Sequence, residues 1–421
     1  MKLSKPHHFR ELKNSAWMIF EKILAFLGLI LVTSYVAKYI GPTLLGHIAL
    51  ATAIFQIIQV IAQYGSDSII FKRVSRSPAS GANLIRASTR LRAVTYALLA
   101  IPVCVYLTRH HGTETKILIM ATCAALFFAA LDVYSIYNNA VLNSKFNAIT
   151  NAIGLLCGLT LQLIVAGIEL NPGFLFAPII ATTLIPYLLR RIRFNKSSQE
   201  ISRWKRPARI NKYLVVAGTS VALSSVAIAL YTRVNQISVA EILGTTALGV
   251  YSVSITIALS WSFAITAIIT SFFAKIYATR ELEMAMFKAA TLARYCLIIS
   301  IAGCVTFYIV AEPLITMLYG NSFAGALLPS QILCASLVFS SLGTVSYRLI
   351  IWDGGFRFLA WKMLATLCVA VALSITLIPK FGLAGAAGAV LLVEIISATA
   401  LNYFYKRGLV FRLHLRAIGI L

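Results

Sequence analysis

Long apolar runs, punctuated by short polar breaks, set the pattern of this chain. They begin near Ser15, Leu44, Ala87, Ile117, Phe146 and Gly173, then near Tyr213, Leu248, Ala289, Ala324, Leu359 and Leu383. Each is long enough, as a helix, to cross the roughly 30 Å of hydrocarbon in a bilayer. The pattern predicts an all-α polytopic membrane protein with about 12 transmembrane helices. The first run is too long for the apolar core of a cleaved signal peptide and lacks a small-x-small cleavage site, so it reads as a span.

The runs fall into two sets of six, separated by the polar segment from Arg190 to Lys212. The predicted organisation is an N-terminal six-helix lobe (residues 1–194), a basic cytoplasmic linker (195–212) and a C-terminal six-helix lobe (213–421) ending in a short basic tail. An internal repeat supports it. Gly41-Pro42-Thr43-Leu44-Leu45-Gly46 recurs as Gly244-Thr245-Thr246-Ala247-Leu248-Gly249, each copy joining the first and second spans of its half. Repeats with an even number of spans are parallel, and such lobes are expected to face each other across a central cavity and to rock for alternating access.

Composition sharpens the class. Apolar residues make up 59% of the chain and charged ones 12%, about half the ~25% charged share of a soluble domain. The net charge of +24 would suggest nucleic-acid binding in a soluble protein. Here Lys and Arg collect in alternate loops without a basic stripe of interleaved aromatics, which excludes nucleic acid as a partner and predicts that both termini are cytoplasmic. The seven cysteines have no paired spacing and the histidines no ligand-spaced companions, so neither a metal nor a cofactor is expected.

Candidate chemistry lies in the polar residues that the spans tolerate. Thr52, Gln56, Gln59, Gln63 and Asp67 in the second span are spaced to share an arc of roughly 80° on one helix. Lipid cannot satisfy such a stripe, so it is expected to line a wet cavity. The fourth span adds Asp132, Ser135, Asn138, Asn139 and Asn143 beside Tyr134 and Tyr137, a mixture suited to sugars. In the fifth span, Gly154 and Gly158 predict close helix packing. Intramembrane ionisable groups are functional candidates by default: Lys22 and Arg233 as cations for an anionic group, with Glu21, Asp67 and Glu394, and Asp132 besides, as protonation or cation-coupling sites. The equivalent C-terminal stripe holds only Ser262, Thr266 and Thr270. A sugar or charged headgroup is therefore expected to bind the N-terminal lobe, and a lipid tail the C-terminal one.

No Walker loop, H-E-x-x-H or G-x-S-x-G motif is present, so the chain does not read as an enzyme. Ala37-Lys38-Tyr39-Ile40-Gly41-Pro42 through Gly46, Tyr64-Gly65-Ser66-Asp67 with Lys72-Arg73, Tyr231-Thr232-Arg233-Val234-Asn235-Gln236, Leu318-Tyr319-Gly320 and Gly382-Leu383-Ala384-Gly385-Ala386-Ala387 with Glu394 beyond occur in order along the chain. Together they resemble the polysaccharide or O-antigen lipid flippases of the multidrug/oligosaccharidyl-lipid/polysaccharide exporter superfamily. That family usually carries Asp where this chain has Asn235. The resemblance implies flipping of an undecaprenyl-pyrophosphate-linked oligosaccharide across a bacterial inner membrane, with the lipid-linked oligosaccharide, membrane lipids, a polysaccharide polymerase and a chain-length regulator as partners. A lipid II flippase or a drug/cation antiporter of the same superfamily is the first alternative. An O-antigen polymerase or lipid-linked-sugar glycosyltransferase is the second, and the short outer loops count against it.

Overall fold

A backbone surrounded by hydrocarbon has no water to bond, and a helix satisfies its N–H and C=O groups internally. The computed structural model follows that rule throughout. It describes the backbone of residues 7–197 and 207–420, and side chains from residue 28 onward except 29, 79, 197–221, 224, 274, 275 and 421. The helices are α1 (His7–Gln63), α2 (Ser66–Arg76), α3 (Pro78–Thr108), α4 (Thr113–Leu131), α5 (Tyr134–Ala140), α6 (Ser144–Gly167) and α7 (Phe176–Ser197). After them come α8 (Pro207–Leu243), α9 (Thr245–Leu259), α10 (Ser262–Tyr277), α11 (Leu282–Tyr319), α12 (Leu327–Trp352), α13 (Phe356–Ala398), α14 (Ala400–Tyr403) and α15 (Leu409–Ile418).

Among the described residues, eight helices are long and apolar enough to cross a membrane, or nine when α9 and α10, bent by 43° at their junction, are taken as one span. The chain is thus an all-α polytopic membrane protein. Two of the long helices are interrupted: α1 by Gly41 (φ 75°) and α13 by Gly382 (φ 58°). A left-handed backbone is open to glycine at little cost, and it ends the hydrogen-bond ladder locally.

Contacts divide the chain into two compact units, Met1–Ile40 with Ala51–Ala229, and Gly41–Leu50 with Leu230–Leu421. In the first unit, α6 packs on α7 through its glycines. A Cβ at Gly154 would meet the Pro186 ring, and one at Gly158 the methyl of Thr182. The close packing expected of the fifth span is present. On α3, Val94, Leu98, Ile101 and Val105 form an exposed apolar stripe at helical spacing, which is the surface a lipid-facing helix presents.

In the second unit, Ile269 and Phe273 of α10, Met286 and Ala289 of α11, and Val345 and Leu349 of α12 form a buried core. The C-terminal segment, expected as a basic tail, is instead the helix α15, which contributes Leu409, Val410 and Leu413 to that core. Arg294 of α11 donates from Nε to the Ala417 carbonyl and from Nη2 to the Arg416 carbonyl, both at 2.8 Å, and so caps its last turn.

The two repeat copies meet inside this second unit. Gly41 and Gly244 share one backbone conformation (φ 75°, ψ 173° and φ 88°, ψ 168°). Five residues on, a Cβ at Gly46 would overlap the Thr245 carbonyl oxygen, and one at Gly249 the Pro42 carbonyl oxygen. Thr43 and Thr246 share a hydrogen bond at 2.9 Å. Both glycines are needed because backbone lies against backbone at the crossing.

Candidate functional site

The breaks in the first unit's helices gather polar groups around a cavity. α1 ends at Gln63, and the chain turns through Tyr64 (φ 50°) and Gly65 (φ 58°) before α2 begins. Asp67 therefore belongs to a separate short helix. The single stripe expected from Thr52 to Asp67 is interrupted, because two consecutive left-handed residues reset the helical phase. α4 likewise stops at Leu131, and Asp132 (φ −77°, ψ 60°) leads into α5.

Two arginines hold these acids. Arg92 of α3, 2% exposed, pairs with Asp67 and donates to Ser66 Oγ at 2.6 Å and to the Ala130 carbonyl at 3.2 Å. Arg190 of α7, 4% exposed, pairs with Asp132 and also donates to Asn151, to Thr150 Oγ1 at 2.9 Å and to the Asn147 carbonyl at 3.1 Å. A buried carboxylate is tolerated only when paired and hydrogen-bonded. The pairs border a cavity of about 220 Å³ whose wall includes Gln63, Asn151, Ser135 and Thr183.

Of the predicted substrate-binding residues in this unit, Gln63 and Asp132 line the cavity. Gln56 and Gln59 are half-buried on α1 and lie outside its wall. Asn138 and Asn139 turn elsewhere: Asn138 Nδ2 donates to Asn147 Oδ1 at 2.9 Å, and Asn147 Nδ2 donates to Asn139 Oδ1 at 2.8 Å, so they tie α5 to α6. The side chains of Glu21 and Lys22 lie outside the described residues.

Sequence reasoning missed both arginines. Arg190 was read as the start of the polar segment between the lobes, yet α7 continues to Ser197 and carries it inside. Arg92, five residues into the apolar run that begins near Ala87, was not among the intramembrane ionisable candidates. A signal was available in its position within an apolar run, where an ionisable side chain is a functional candidate by default.

The second unit holds a cavity of about 270 Å³ of different character. Its wall is largely apolar, with Ile255, Leu259, Leu333 and Val393, and is punctuated by Arg233, Tyr231 and Glu394. Arg233 Nη1 donates to Gln236 Oε1 at 3.1 Å, and among the described residues it forms no salt bridge with a carboxylate. Tyr231 donates its hydroxyl proton to Glu394. Asn235, 7% exposed, donates to the Ala386 carbonyl at 3.0 Å and to Ser374 Oγ at 3.3 Å, so its amide joins α8 to both arms of α13. Lys362, 5% exposed, was also missed. It interacts electrostatically with Glu394 and with His414 of α15.

Among the described residues, no three His, Cys, Asp or Glu side chains gather as metal ligands. Outside the spans, burial first and the Lys362 charge second hold His414 down from 6.5 to about 4. Its ring nitrogens bond Ser346 Oγ at 3.0 Å and the Tyr403 hydroxyl at 3.2 Å.

The family model described as polysaccharide biosynthesis protein matches residues 35–328. Similar folds occur in the lipid II flippase MurJ in an inward closed conformation, with a TM-score of 0.74 and 14% identity over 97% of this chain and 91% of that one. An inward-facing multidrug resistance MATE family transporter of the MOP superfamily gives a TM-score of 0.64 and 15% identity over 94% and 96%. A MOP superfamily transporter from Pyrococcus furiosus, described as having a binding pocket of reversed polarity, gives 0.54 and 12% over 97% and 94%. No curated protein sequence matches.

Proposed function

This chain belongs to the polysaccharide biosynthesis protein family, and from that premise we propose that it is a non-catalytic transporter that flips an undecaprenyl-pyrophosphate-linked oligosaccharide. The cargo is an O-antigen, capsular or exopolysaccharide repeat unit. It crosses the bacterial inner membrane by alternating access, and both termini of the transporter are cytoplasmic. In this reading the spans number twelve: α1 is divided at Gly41 and α13 at Gly382, α9 and α10 count as one, and α8 is added to those counted by length and apolarity. The product passes to a polymerase and chain-length regulator.

The observation that carries this reading is Arg233. A cation without a carboxylate partner among the described residues, set in an apolar wall, is arranged for a ligand that brings negative charge and hydrocarbon together. A pyrophosphate joined to a polyprenyl chain does both, and guanidinium binds phosphate oxygens through paired hydrogen bonds. Glu394, held by Tyr231 on the same wall, is the candidate for coupling to protons or cations. Lipid II also carries pyrophosphate, so the likeness to its flippase makes it the second reading.

Purified protein in proteoliposomes, given fluorescent undecaprenyl-pyrophosphate oligosaccharides and lipid II in separate runs, tests both through leaflet accessibility. Arg233→Ala is expected to slow flipping at least about tenfold, the loss of one charge-assisted contact, and Arg233→Lys to keep part of the rate. Equal rates for wild type and both variants rule out the pyrophosphate role, and a wild type that flips neither lipid ends the flippase reading. Preference for lipid II establishes the second reading.

A further inference from the structure

We propose that the charge-paired cavity of the first unit is a binding pocket for one neutral sugar residue. The inference rests on the flippase reading, whose cargo carries sugars, but it assigns a particular pocket and a particular sugar chemistry.

Size is the first argument. Drug-sized ligands occupy pockets from about 300 Å³ upward, and this cavity, at about 220 Å³, suits a single pyranose ring.

Charge is the second. Arg92 and Arg190 are cancelled by Asp67 and Asp132, so the wall has no net charge. A phosphate or uronate entering it gains two guanidinium groups that are already engaged and meets two carboxylates. A cation meets the converse. A neutral polyol avoids both penalties, because a hydroxyl donates and accepts at once.

The third argument is what the protein leaves unmet. Arg92 Nε, a donor, and Asp132 Oδ1, an acceptor, are both buried without a hydrogen-bond partner among the described residues. An unmet buried polar atom is costly, and vicinal hydroxyls supply what each lacks. Gln63 and Thr183 add further polar groups, while Pro186 and Ile136 offer an apolar patch for the C–H face of a ring. The Asp67 side chain, 46% exposed, marks the mouth.

Saturation-transfer NMR on the full-length protein in nanodiscs tests the proposal, with methyl α-glucoside, methyl α-mannoside and N-acetylglucosamine as neutral probes and glucuronate and inorganic pyrophosphate as anionic ones. At least one neutral glycoside is expected to bind, and glucuronate to bind at least about tenfold more weakly, the equivalent of one like-charge contact. Thr183→Phe, which fills the cavity, and Gln63→Leu, which removes one polar group at a half-buried position, are each expected to weaken the glycoside, by at least about tenfold for the first. If Thr183→Phe fails to fold, Gln63→Leu alone decides. No glycoside binding, binding unchanged in the folded variants, or glucuronate or pyrophosphate binding as tightly as the glycosides overturns the pocket. Flipping measured on the same preparation separates the two ideas. Protein that flips lipid-linked oligosaccharide but binds no glycoside loses the pocket and keeps the transport function; protein that binds glycosides at this site but flips nothing keeps the pocket alone.

Discussion

Within their spans the two units treat charge in opposite ways. In the first, each buried arginine is matched by a carboxylate, and the cavity between the pairs is polar and neutral. In the second, Arg233 is bonded to an amide and Glu394 to a phenol, and the cavity wall is mostly apolar. Matching satisfies the charges internally and leaves hydroxyl-scale bonding on offer. Arg233, with no carboxylate partner among the described residues, keeps its electrostatic reach for a ligand. The same low-dielectric surroundings thus yield the region proposed for a sugar and the region proposed for a lipid-borne anion.

Removing a paired charge from the first unit should have the largest effect. Arg190→Met strands Asp132, and breaking a buried pair on one side costs about 3–5 kcal/mol, so little monodisperse protein is expected after detergent extraction. Adding Asp132→Asn to it should recover most of the yield, and failure to do so would mean that Arg190 stabilises through packing and not through its charge. Arg92→Met should cost less, about 2–3 kcal/mol in thermal melts, because Asp67 can reach water. Equal losses for the two arginines would contradict the difference in exposure between their partners.

The next effect belongs to the second unit and depends on pH. His414 is held near 4 in the folded protein against 6.5 ordinarily, so the unfolded chain takes up its proton first as pH falls. The stability it contributes is complete above about pH 6.5 and is lost progressively toward pH 4, amounting to about 2 kcal/mol by pH 5. Melting temperatures at pH 7.5 and pH 5 should diverge in the wild type and diverge less in His414→Gln. The smallest stability effect is predicted for Arg233→Met, within about 0.5 kcal/mol, even though removing this charge is expected to slow flipping. A melt as damaged as that of Arg190→Met would show that Arg233 is a structural charge and erase the contrast between the units.

Much of the fold was legible before the structure. Runs beginning near Ala87, Phe146 and Ala289 became α3, α6 and α11, because hydropathy summed over a segment decides whether it can enter a bilayer. The repeat at Gly41 and Gly244 was legible too, because a left-handed backbone and a close crossing both exclude a Cβ. The site was legible in part. Gln63 and Asp132 reached the cavity, but the turn at Tyr64–Gly65 separated Asp67 from the glutamine stripe, and Asn138 and Asn139 went to Asn147.

What the sequence by itself determined is the membrane class, the helices and the places where glycine lets them break, since each depends on a short window of residues and its solvent. Only the tertiary structure decided which polar side chains meet. Arg190 lies 58 positions from Asp132, and Arg92 lies 25 from Asp67. No local pattern encodes those separations, and in a basic chain an arginine that closes a buried pair looks the same in sequence as one that faces water. Burial and partner are properties of the packed helices, and they separate the charges that hold this protein together from the one proposed to hold its cargo.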